Sequence, residues 1–350
     1  MTKQKVKTPE KYTKLKELFA GKRNLLIVLQ DHPDPDAVAS GVALRRLANI
    51  QGINSSIACS GLIGRWENRA LINYLNLNIR ALQKVKPHKF DLLALVDTQP
   101  RSGNNRLTTD KVADIVIDHH PIRNTTRSAR FTDVRSGYGA TATILVEYLE
   151  SAGIEPDPPL ATALLYGIIS DTQDLGRRAK KADFNAHFYV SRYANLRMLA
   201  QIRHGTLPDR YYKLLYTALE NARYFGTCIT THIGVTETPD VTGEIADLLV
   251  RREGIIWCLC TAVNEHRLLL SLRSNQTQEK DAGEVISRIV GNMGSAGGHH
   301  FLAGGQIPLE TESNTEVSDI QEELRRRMKT IFGHQESRAT RLIHAPNPPR

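Results

Sequence analysis

The sequence predicts an α/β protein: a doubly wound domain with a mainly parallel sheet, followed by a smaller α/β domain with a mixed sheet. Three observations predict this class. The first half alternates apolar runs of strand length with longer helical segments. Its apolar runs are continuous, as in strands that are buried on both faces of a sheet. The second half changes to short strands around one helix and a glycine-rich stretch.

The elements of the first domain follow from that alternation. A short leading helix is expected over residues 9–20. Strands are predicted over residues 24–29, 55–59, 92–96 and 113–117, and helices over residues 37–47, 68–77, 140–151 and 159–170. Ligands of such sheets bind outside the carboxyl ends of the strands. Polar side chains that directly follow these strands are therefore the first candidates for a functional site.

The chain changes character after Leu175. Two long helices are expected over residues 184–203 and 208–225, then strands over 226–233, 254–263 and 267–273, and helices over 283–290 and 322–331. Ser318 and Gln321 are interpreted as a capping box of the last helix. The segment His334–Arg350 has three prolines and no periodic pattern, so it is expected to be disordered. The predicted boundaries are residues 1–183 for the first domain, 184–225 for a helical linker, 226–333 for the second domain and 334–350 for the tail.

Composition restricts the class of protein. The 350 residues include 41% hydrophobic and 24% charged residues, and no apolar run is long enough to span a membrane. The lysine-rich start lacks the apolar core of a secretory signal. The four cysteines show no paired spacing and are expected to be reduced core residues, which favours a cytoplasmic location. The net charge of +9 favours polyanionic partners such as nucleotides, and it equally fits a requirement for solubility.

Acidic side chains follow two of the predicted strands. Asp34 and Asp36 come after the first strand, and Asp97 ends the strand over residues 92–96. Two simpler interpretations remain open, because Asp36 could only cap the following helix and Asp97 could be an ordinary turn residue. Taken together with the motif below, these carboxylates predict a site for divalent cations at one edge of the sheet.

Asp118-His119-His120, at the end of another buried strand, is a more specific pattern. One imidazole can bind a metal while the other faces the substrate, and Asp118 can fix the tautomer of an imidazole. Asp171 ends an apolar helix, where a carboxylate is unfavourable against the helix dipole unless a cation offsets it.

The order of these motifs resembles the DHH phosphoesterase family: Asp34-x-Asp36, then Asp97, then Asp118-His119-His120, then Asp171. The second half agrees, because residues 294–305 contain Gly297-Gly298-His299 and resemble the DHHA1 substrate domain of that family. Ser271-Leu272-Arg273-Ser274 resembles the strand that precedes this signature. The resemblance covers roughly residues 20–310. Within the family it is closer to the oligoribonuclease and phosphoadenosine-phosphate phosphatase branch than to the single-strand DNA exonuclease branch.

The resemblance implies a site for two manganese ions, with magnesium as the alternative. Asp34 would bind the first ion, Asp97 would bridge both, and Asp36, His119 and Asp171 would complete the second site. His120 would act at the scissile phosphate. In the second domain, Arg273 would hold a substrate phosphate, and Gly297, Gly298 and His299 would form a loop that approaches the nucleotide.

One position departs from the family pattern. A histidine usually stands four residues before the first motif aspartate, and here that residue is Gln30. His32 lies two residues away from that register. Positions 30, 32 and 34 would point the same way on an extended strand end, so both Gln30 and His32 are uncertain metal ligands.

The leading functional hypothesis is metal-dependent hydrolysis of phosphoester bonds in short oligonucleotides or nucleoside bisphosphates. One alternative is a hydrolase of linear or cyclic dinucleotides or of polyphosphate. Another is a nucleotide-binding protein with weakened catalysis, because Gln30 replaces the usual histidine. The expected partners are short RNA or DNA oligonucleotides or nucleotides and not membranes, and a homodimer is compatible with the sequence.

Overall fold

The computed structural model describes residues 8–343, apart from residues 62, 177–178, 276–279, 300 and 312. These residues form two compact units that divide between Gly205 and Thr206, and each unit is built around its own sheet. Within the described ranges, every helix is too short or too polar to cross a bilayer.

The first unit contains a six-stranded parallel sheet in the order β3-β2-β1-β4-β5-β6, which confirms the predicted doubly wound fold. Its strands are β1 Asn24–Val28, β2 Asn54–Cys59, β3 Ile79–Ala81, β4 Leu92–Val96, β5 Ile115–Asp118 and β6 Phe131–Val134. Its helices are α1 Thr8–Phe19, α2 Pro35–Ile50, α3 Trp66–Tyr74, α4 Thr141–Ser151, α5 Pro158–Asp171, α6 Lys181–Ser191 and α7 Leu196–Arg203. The strand order reverses between β1 and β4, and such a reversal is where ligands of this fold class bind.

Burial explains why the central strands were predictable and the edge strands were not. Every residue of β4 is buried, and its apolar run is continuous. The edge strand β3 has three residues, none of them buried, and β6 alternates buried and half-buried positions. Such short strands carry no continuous apolar run, and they form because a neighbouring strand offers backbone hydrogen bonds.

The long helix predicted over residues 184–203 is two helices, α6 and α7. The break falls at Asn195, whose side chain accepts a hydrogen bond from the backbone N–H of Met198 and so caps α7. Both helices belong to the first unit. The second predicted helix, over residues 208–225, ends at Asn221, and its last residues form a strand.

The second unit contains a seven-stranded mixed sheet in the order β11-β12-β10-β9-β8-β7-β13, as predicted for the smaller domain. Its strands are β7 Arg223–Phe225, β8 Cys228–Val235, β9 Trp257–Asn264, β10 Arg267–Ser274, β11 Ser295–His299, β12 Leu302–Pro308 and β13 Thr340–Arg341. Its helices are α8 Asp209–Asn221, α9 Val241–Leu249, α10 Ala282–Val290 and α11 Asn314–Phe332. Only β8 and β9 pair in parallel in this sheet as described.

The two faces of this second sheet support separate cores. Leu259 and Leu272 pack with α10 and α11 on one face. Cys258 and Cys260 pack with α8 and α9 on the other. All four cysteines are buried free thiols, as expected for core residues.

Two expectations about the end of the chain were wrong. The last helix begins at Asn314, because Ser313 caps it by accepting a hydrogen bond from the N–H of Glu316, so Ser318 and Gln321 lie within the helix. The segment His334–Ile343 was expected to be disordered, but β13 within it pairs with β7. Residues 344–350 lie outside the described part of the chain.

A buried ion cluster joins β6 to α1 and α4. Asp133 accepts hydrogen bonds from Arg135 Nη2 at 2.7 Å and from the Tyr148 hydroxyl at 2.5 Å, and Lys11 Nζ lies 3.3 Å away. Glu147 accepts a second bond from Arg135 at 2.6 Å. Burial alone would raise the pKa of Asp133, but the hydrogen bonds and charge of Arg135 outweigh burial and hold this pKa below its ordinary value.

This cluster predicts how stability depends on pH. The folded pKa of Asp133 lies below the unfolded value of about 3.9, so its stabilisation is complete above that pH and is lost as the pH falls through the folded pKa. Asp133→Asn removes one of the two carboxylates that pair with Arg135 and leaves Glu147 as the other, so it should cost about 1 to 3 kcal/mol at pH 7. Urea unfolding at a series of pH values measures this, with Asp110→Asn at an exposed loop as the control. A cost that does not shrink in acid would contradict the assignment.

Candidate metal centre

The site lies at the carboxyl ends of β1, β4 and β5. Asp34 is the N-cap of α2, and its Oδ1 accepts a hydrogen bond from the N–H of Ala37 at 2.9 Å. The capping role that the sequence allowed for Asp36 therefore belongs to Asp34. Its other oxygen, Oδ2, accepts a hydrogen bond from the Gln30 amide at 2.9 Å.

Asp36 is fully buried in the first turn of α2 and faces the start of α4. Its two oxygens accept hydrogen bonds of 2.7 Å from the N–H groups of Thr141 and Ala142. Gly167 of α5 allows a close approach here, because a Cβ on it would lie 3.1 Å from the Cα of Asp36. The same helix ends at Asp171, so the α2–α5 contact brings a second acidic group to the site.

Asp97 follows β4 in a left-handed backbone conformation with φ of 58°. A non-glycine residue seldom adopts this conformation, and such strain concentrates at functional sites. Its side chain is 1% exposed and accepts a hydrogen bond from the Thr141 hydroxyl at 2.8 Å. The Gln30 amide lies 3.4 Å from its other oxygen.

His119 connects two carboxylates. Its Nε2 lies 3.3 Å from Asp171 Oδ2 and 3.6 Å from Asp97 Oδ1. Its Nδ1 lies 3.3 Å from the carbonyl oxygen of Tyr138. Two groups of three side chains have ligand atoms that all lie within 4.8 Å of one another. One group is Asp97, His119 and His120, and the other is Asp36, His119 and Asp171.

His120 is oriented by a chain of hydrogen bonds. Its Nδ1 lies 2.8 Å from Asp118 Oδ1. The other oxygen of Asp118 accepts a hydrogen bond from the Gln99 amide at 2.6 Å. This arrangement fixes the orientation of the ring and assigns Nδ1 to the carboxylate.

Crowding of carboxylates shapes the electrostatics of the site. Burial, followed by the charge of Asp171, raises the pKa of Asp34 to about 6. Burial and the neighbouring carboxylates also raise the pKa values of Asp36 and Asp97 well above the ordinary range. Burial opposes protonation of His119, but its interaction with the Asp171 carboxylate, which lies 3.3 Å from Nε2, outweighs burial and raises its pKa to about 10. The carboxylates therefore repel one another and attract positive charge.

The residues fit a divalent cation. His119 Nε2 is buried and makes no well-formed hydrogen bond with any described residue, although two carboxylate oxygens lie close to it. A pKa of about 10 keeps the His119 ring protonated beside these oxygens, so a cation that binds Nε2 would displace a proton from it, while Nδ1–H donates to the Tyr138 carbonyl. Carboxylates with an imidazole are the ligand set of hard to borderline divalent ions.

The two uncertain ligands have different positions. The Gln30 amide N–H₂ faces Asp34 and Asp97, while its oxygen accepts a hydrogen bond from the Asn104 amide at 3.3 Å. His32 belongs to neither metal-binding group among the described residues, and a Cβ on Gly61 would lie 2.7 Å from its ring. Asp34 also belongs to neither group, but the Gln30 amide that it binds lies 3.4 Å from Asp97. The alignment of positions 30, 32 and 34 fails because β1 ends at Val28 and the chain bends after it.

The predicted substrate residues lie in the second unit. Arg273 donates hydrogen bonds of 2.7 Å to Asp247 Oδ1 and to the Ser271 hydroxyl. Gly297, Gly298 and His299 were expected in a loop but form β11, paired with β12. Gly298 has φ of 154°, and a Cβ there would lie 2.5 Å from the Cα of Ala303. Only glycine fits this close pairing of strands.

Sequence reasoning missed several residues that support the cluster. Thr141 bonds to Asp36 and Asp97, Gln99 orients Asp118, and Asn104 holds Gln30. A usable signal was the segment Gly137-Tyr138-Gly139-Ala140-Thr141, a glycine-rich turn that leads into a helix. Gln99 and Asn104 carry no comparable signal, because amides are common in surface loops.

Comparison with known families finds one family domain in each of the two units of the structure. Residues 24–168 match the N-terminal domain of the DHH family, and residues 225–330 match the DHHA1 domain.

Three relatives illustrate the range of this similarity. Uncharacterized protein MJ1633 of Methanocaldococcus jannaschii is 35% identical over 290 residues, which cover 82% of this chain and 59% of that protein. A probable manganese-dependent inorganic pyrophosphatase of Clostridium acetobutylicum is 28% identical over 177 residues, covering 46% of this chain and 55% of the enzyme. The cyclic-di-AMP phosphodiesterase GdpP of Bacillus subtilis is 24% identical over 334 residues, which cover 91% of this chain and 49% of that protein. The chain thus spans only about half to three fifths of these three proteins.

A solved structure supports the fold. An exopolyphosphatase-related protein from Bacteroides fragilis superposes with a TM-score of 0.74 over 95% of this chain and 100% of that chain, at 13% sequence identity.

Proposed function

Since the chain belongs to the DHH family and carries its N-terminal domain followed by a DHHA1 domain, we propose that it is a metal-dependent phosphoesterase of short oligonucleotides or nucleoside bisphosphates. The observation that carries the proposal is the convergence of Asp36, His119 and Asp171 into one group that suits a metal ion, with Asp97 Oδ1 3.6 Å from His119 Nε2. Two cations that share such a cluster suit attack of water on a phosphate ester.

The side chains divide into holding and orienting roles. Asp34, Asp36, Asp97, His119 and Asp171 hold the cations in this proposal, with Asp97 shared between them. Thr141 keeps one oxygen of Asp97 fixed through its hydroxyl, and the N–H groups at the start of α4 fix Asp36. Ligands that are themselves hydrogen-bonded keep their geometry when a cation binds.

Manganese is the proposed ion, with magnesium as the alternative. The mixed carboxylate and imidazole ligands favour a borderline ion, and the pyrophosphatase relative is named for its dependence on manganese. Bound cations supply Lewis acidity, which makes water more acidic and offsets negative charge on the phosphate.

His120 acts on the substrate and not on the ions in this proposal. With Nδ1 engaged by Asp118, its Nε2 can donate a hydrogen bond to a phosphoryl oxygen or to the leaving oxygen. In the second unit, the guanidinium of Arg273 provides paired donors for a second phosphate group of the substrate. Exchange of its bond to Asp247 for a phosphate keeps the guanidinium paired.

A second candidate function follows from Gln30. Its amide N–H₂ donates to Asp34 and approaches Asp97, so it partly neutralises the carboxylates where the first cation would bind. A protein with this arrangement could bind nucleotides and hydrolyse them slowly.

Hydrolysis of a substrate panel tests the proposal. We expect manganese-dependent release of mononucleotide from a dinucleotide, or of phosphate from phosphoadenosine phosphate, with turnover on the order of 1 s⁻¹ or faster for the preferred substrate. Cyclic di-AMP, pyrophosphate and polyphosphate complete the panel and test the alternative hydrolases. Binding without turnover of any member would favour the second candidate, and neither binding nor turnover would overturn both.

A further inference from the structure

A polar cavity of about 340 Å³ lies in the second unit between α11 and the end of the sheet formed by β7 and β8. Its lining consists of Asn221, Arg223, His232, Asn314, Val317, Ser318, Gln321 and Arg325. Among the described residues, the lining includes two arginines and no acidic residue. A narrower recess continues from it toward Thr230 and Thr261.

The cavity is separate from the substrate signature of the same unit. Leu259, at the recess, packs on the face of the sheet that α10 and α11 cover. Arg273 bonds to Asp247 of α9, which packs with Cys258 and Cys260 on the opposite face. The sheet therefore lies between the cavity and the proposed substrate arginine.

Positive charge accumulates at the cavity. Arg341 stands directly opposite Arg223 in the pairing of β13 with β7, and like charges in this position are destabilising. Burial, followed by the charges of Arg341 and Arg325, lowers the pKa of Arg223 from its ordinary value. The Arg223 guanidinium donates to the backbone carbonyls of Glu220 and Ala222.

Arg325 is held in place by neutral and exchangeable contacts. Its Nε lies 3.4 Å from the hydroxyl of the buried Thr230, and its Nη1 pairs with Glu322, whose side chain is 71% exposed. A salt bridge to so exposed a carboxylate contributes little to stability, and an anionic ligand can replace the carboxylate. The first turn of α11 contributes Asn314 and Val317 to the lining, so the positive end of the helix dipole adds to the field.

Neutral groups complete the lining. His232 Nδ1 lies 3.0 Å from the Thr261 hydroxyl, and this hydroxyl donates its hydrogen to the carbonyl of Thr231. The Thr261 oxygen must therefore accept a hydrogen bond from His232 Nδ1–H, and the neutral ring keeps Nε2 as an acceptor. Asn221 donates to the carbonyl of His232, and Gln321 adds another amide. Such groups recognise hydroxyl and amino groups, whereas the arginines recognise an anion.

We propose that this cavity is a second ligand site, which binds a phosphate monoester no larger than a mononucleotide. The guanidinium groups of Arg223 and Arg325 hold the phosphate, because planar forks suit its oxygens. The size favours a small ligand, since about 340 Å³ lies at the lower end of the range for ligand pockets. The site does not depend on metal ions or on the proposed hydrolysis.

Calorimetric titration of the full chain tests the site. The titrations contain a chelator, so that metal-dependent binding at the first unit does not contribute, and the probes are inorganic phosphate, AMP and adenosine. We expect phosphate and AMP to bind and adenosine to bind far more weakly. Tighter binding of AMP than of phosphate would identify a nucleotide as the ligand, and equal affinities would identify the phosphate group alone.

Neighbouring arginines of α11 provide a matched pair of variants. Arg325→Gln should weaken phosphate and AMP binding on the order of tenfold to a hundredfold, because a charged hydrogen-bond donor is lost. Arg326→Gln is the control, since Arg326 pairs with Glu323 and does not line the cavity. Arg223→Gln repeats the test from the sheet if Arg325→Gln proves unstable in thermal unfolding without ligand.

Two results would overturn the proposal. One is unchanged affinity for phosphate and AMP in both Arg325→Gln and Arg223→Gln, which would place the binding elsewhere. The other is absence of binding by the wild-type protein at ligand concentrations of about 10 mM, where even a dissociation constant of about 1 mM would be measurable.

Discussion

Asp97→Asn is expected to reduce phosphoester hydrolysis at least about a thousandfold, because Asp97 is the carboxylate shared between the proposed cations. Asparagine keeps the shape of the side chain and tolerates the left-handed conformation at φ of 58°. It keeps an oxygen that can accept the Thr141 hydrogen bond, and it removes the negative charge. The measurement is the initial rate with the best substrate of the panel at saturating manganese.

Thermal unfolding distinguishes loss of cation binding from loss of chemistry. Manganese should stabilise the wild-type protein, by about 2.7 kcal/mol at a concentration a hundred times its dissociation constant. Asp97→Asn should lose most of this stabilisation. His120→Ala should keep most of it while losing activity, because His120 is proposed to act on the phosphate.

Asp91→Asn provides the control at the opposite end of the same strand. Asp91 precedes β4, is exposed, and accepts hydrogen bonds from the N–H groups of Arg23 and Asn24. The length of β4 separates it from the site. It should retain activity and the response to manganese. Full activity of Asp97→Asn would show that this carboxylate does not take part in the reaction.

Gln30→His is expected to increase manganese affinity on the order of tenfold to a hundredfold and to raise activity at low manganese. The present amide directs its N–H₂ toward Asp34 and Asp97, and the Asn104 amide holds this orientation by donating to Gln30 Oε1. An imidazole would replace this donor by a lone pair. Calorimetric titration with manganese measures the affinity without reference to any substrate.

Gln30→Ala separates removal of the amide from addition of a ligand. It should relieve the competition for the carboxylates without adding a metal ligand, so its affinity should rise less than that of Gln30→His. If Gln30→His binds manganese no better than the wild-type protein, then either Gln30, through its oxygen, or His32 already serves the cation. In that case the weakened-catalysis alternative loses its structural support.

Much of the first unit was predictable because its signals are local. Strands such as β1 and β4 are continuous apolar runs, and the acidic and imidazole residues stand directly after strands. Their convergence follows from the geometry of parallel sheets, in which carboxyl ends share one edge. The short edge strands β3 and β6 and the helix α9 were missed, because none has a continuous apolar run or a side-chain cap.

Other errors arose where a nearby residue offered a competing contact. The last helix starts earlier than expected because the side chain of Ser313 caps it by accepting a hydrogen bond from the N–H of Glu316. The glycine-rich segment forms β11 because β12 offers it a pairing partner, and β7 orders the chain around Thr340 in the same way. Long-range pairing of this kind is not encoded in the composition of the segment itself.

The order of residues is enough to predict the fold class and the acidic and imidazole residues that gather at the first sheet, because it contains the apolar runs and the positions where strands end. How those residues are used became visible in the folded arrangement alone. It showed that Asp34 caps α2 while Asp36 faces α4, that His32 joins neither metal-binding group among the described residues, and that Gln30 turns its amide toward the carboxylates. The reason is that hydrogen bonds join residues far apart in the chain, and these depend on which backbone and side-chain groups the packed elements bring together.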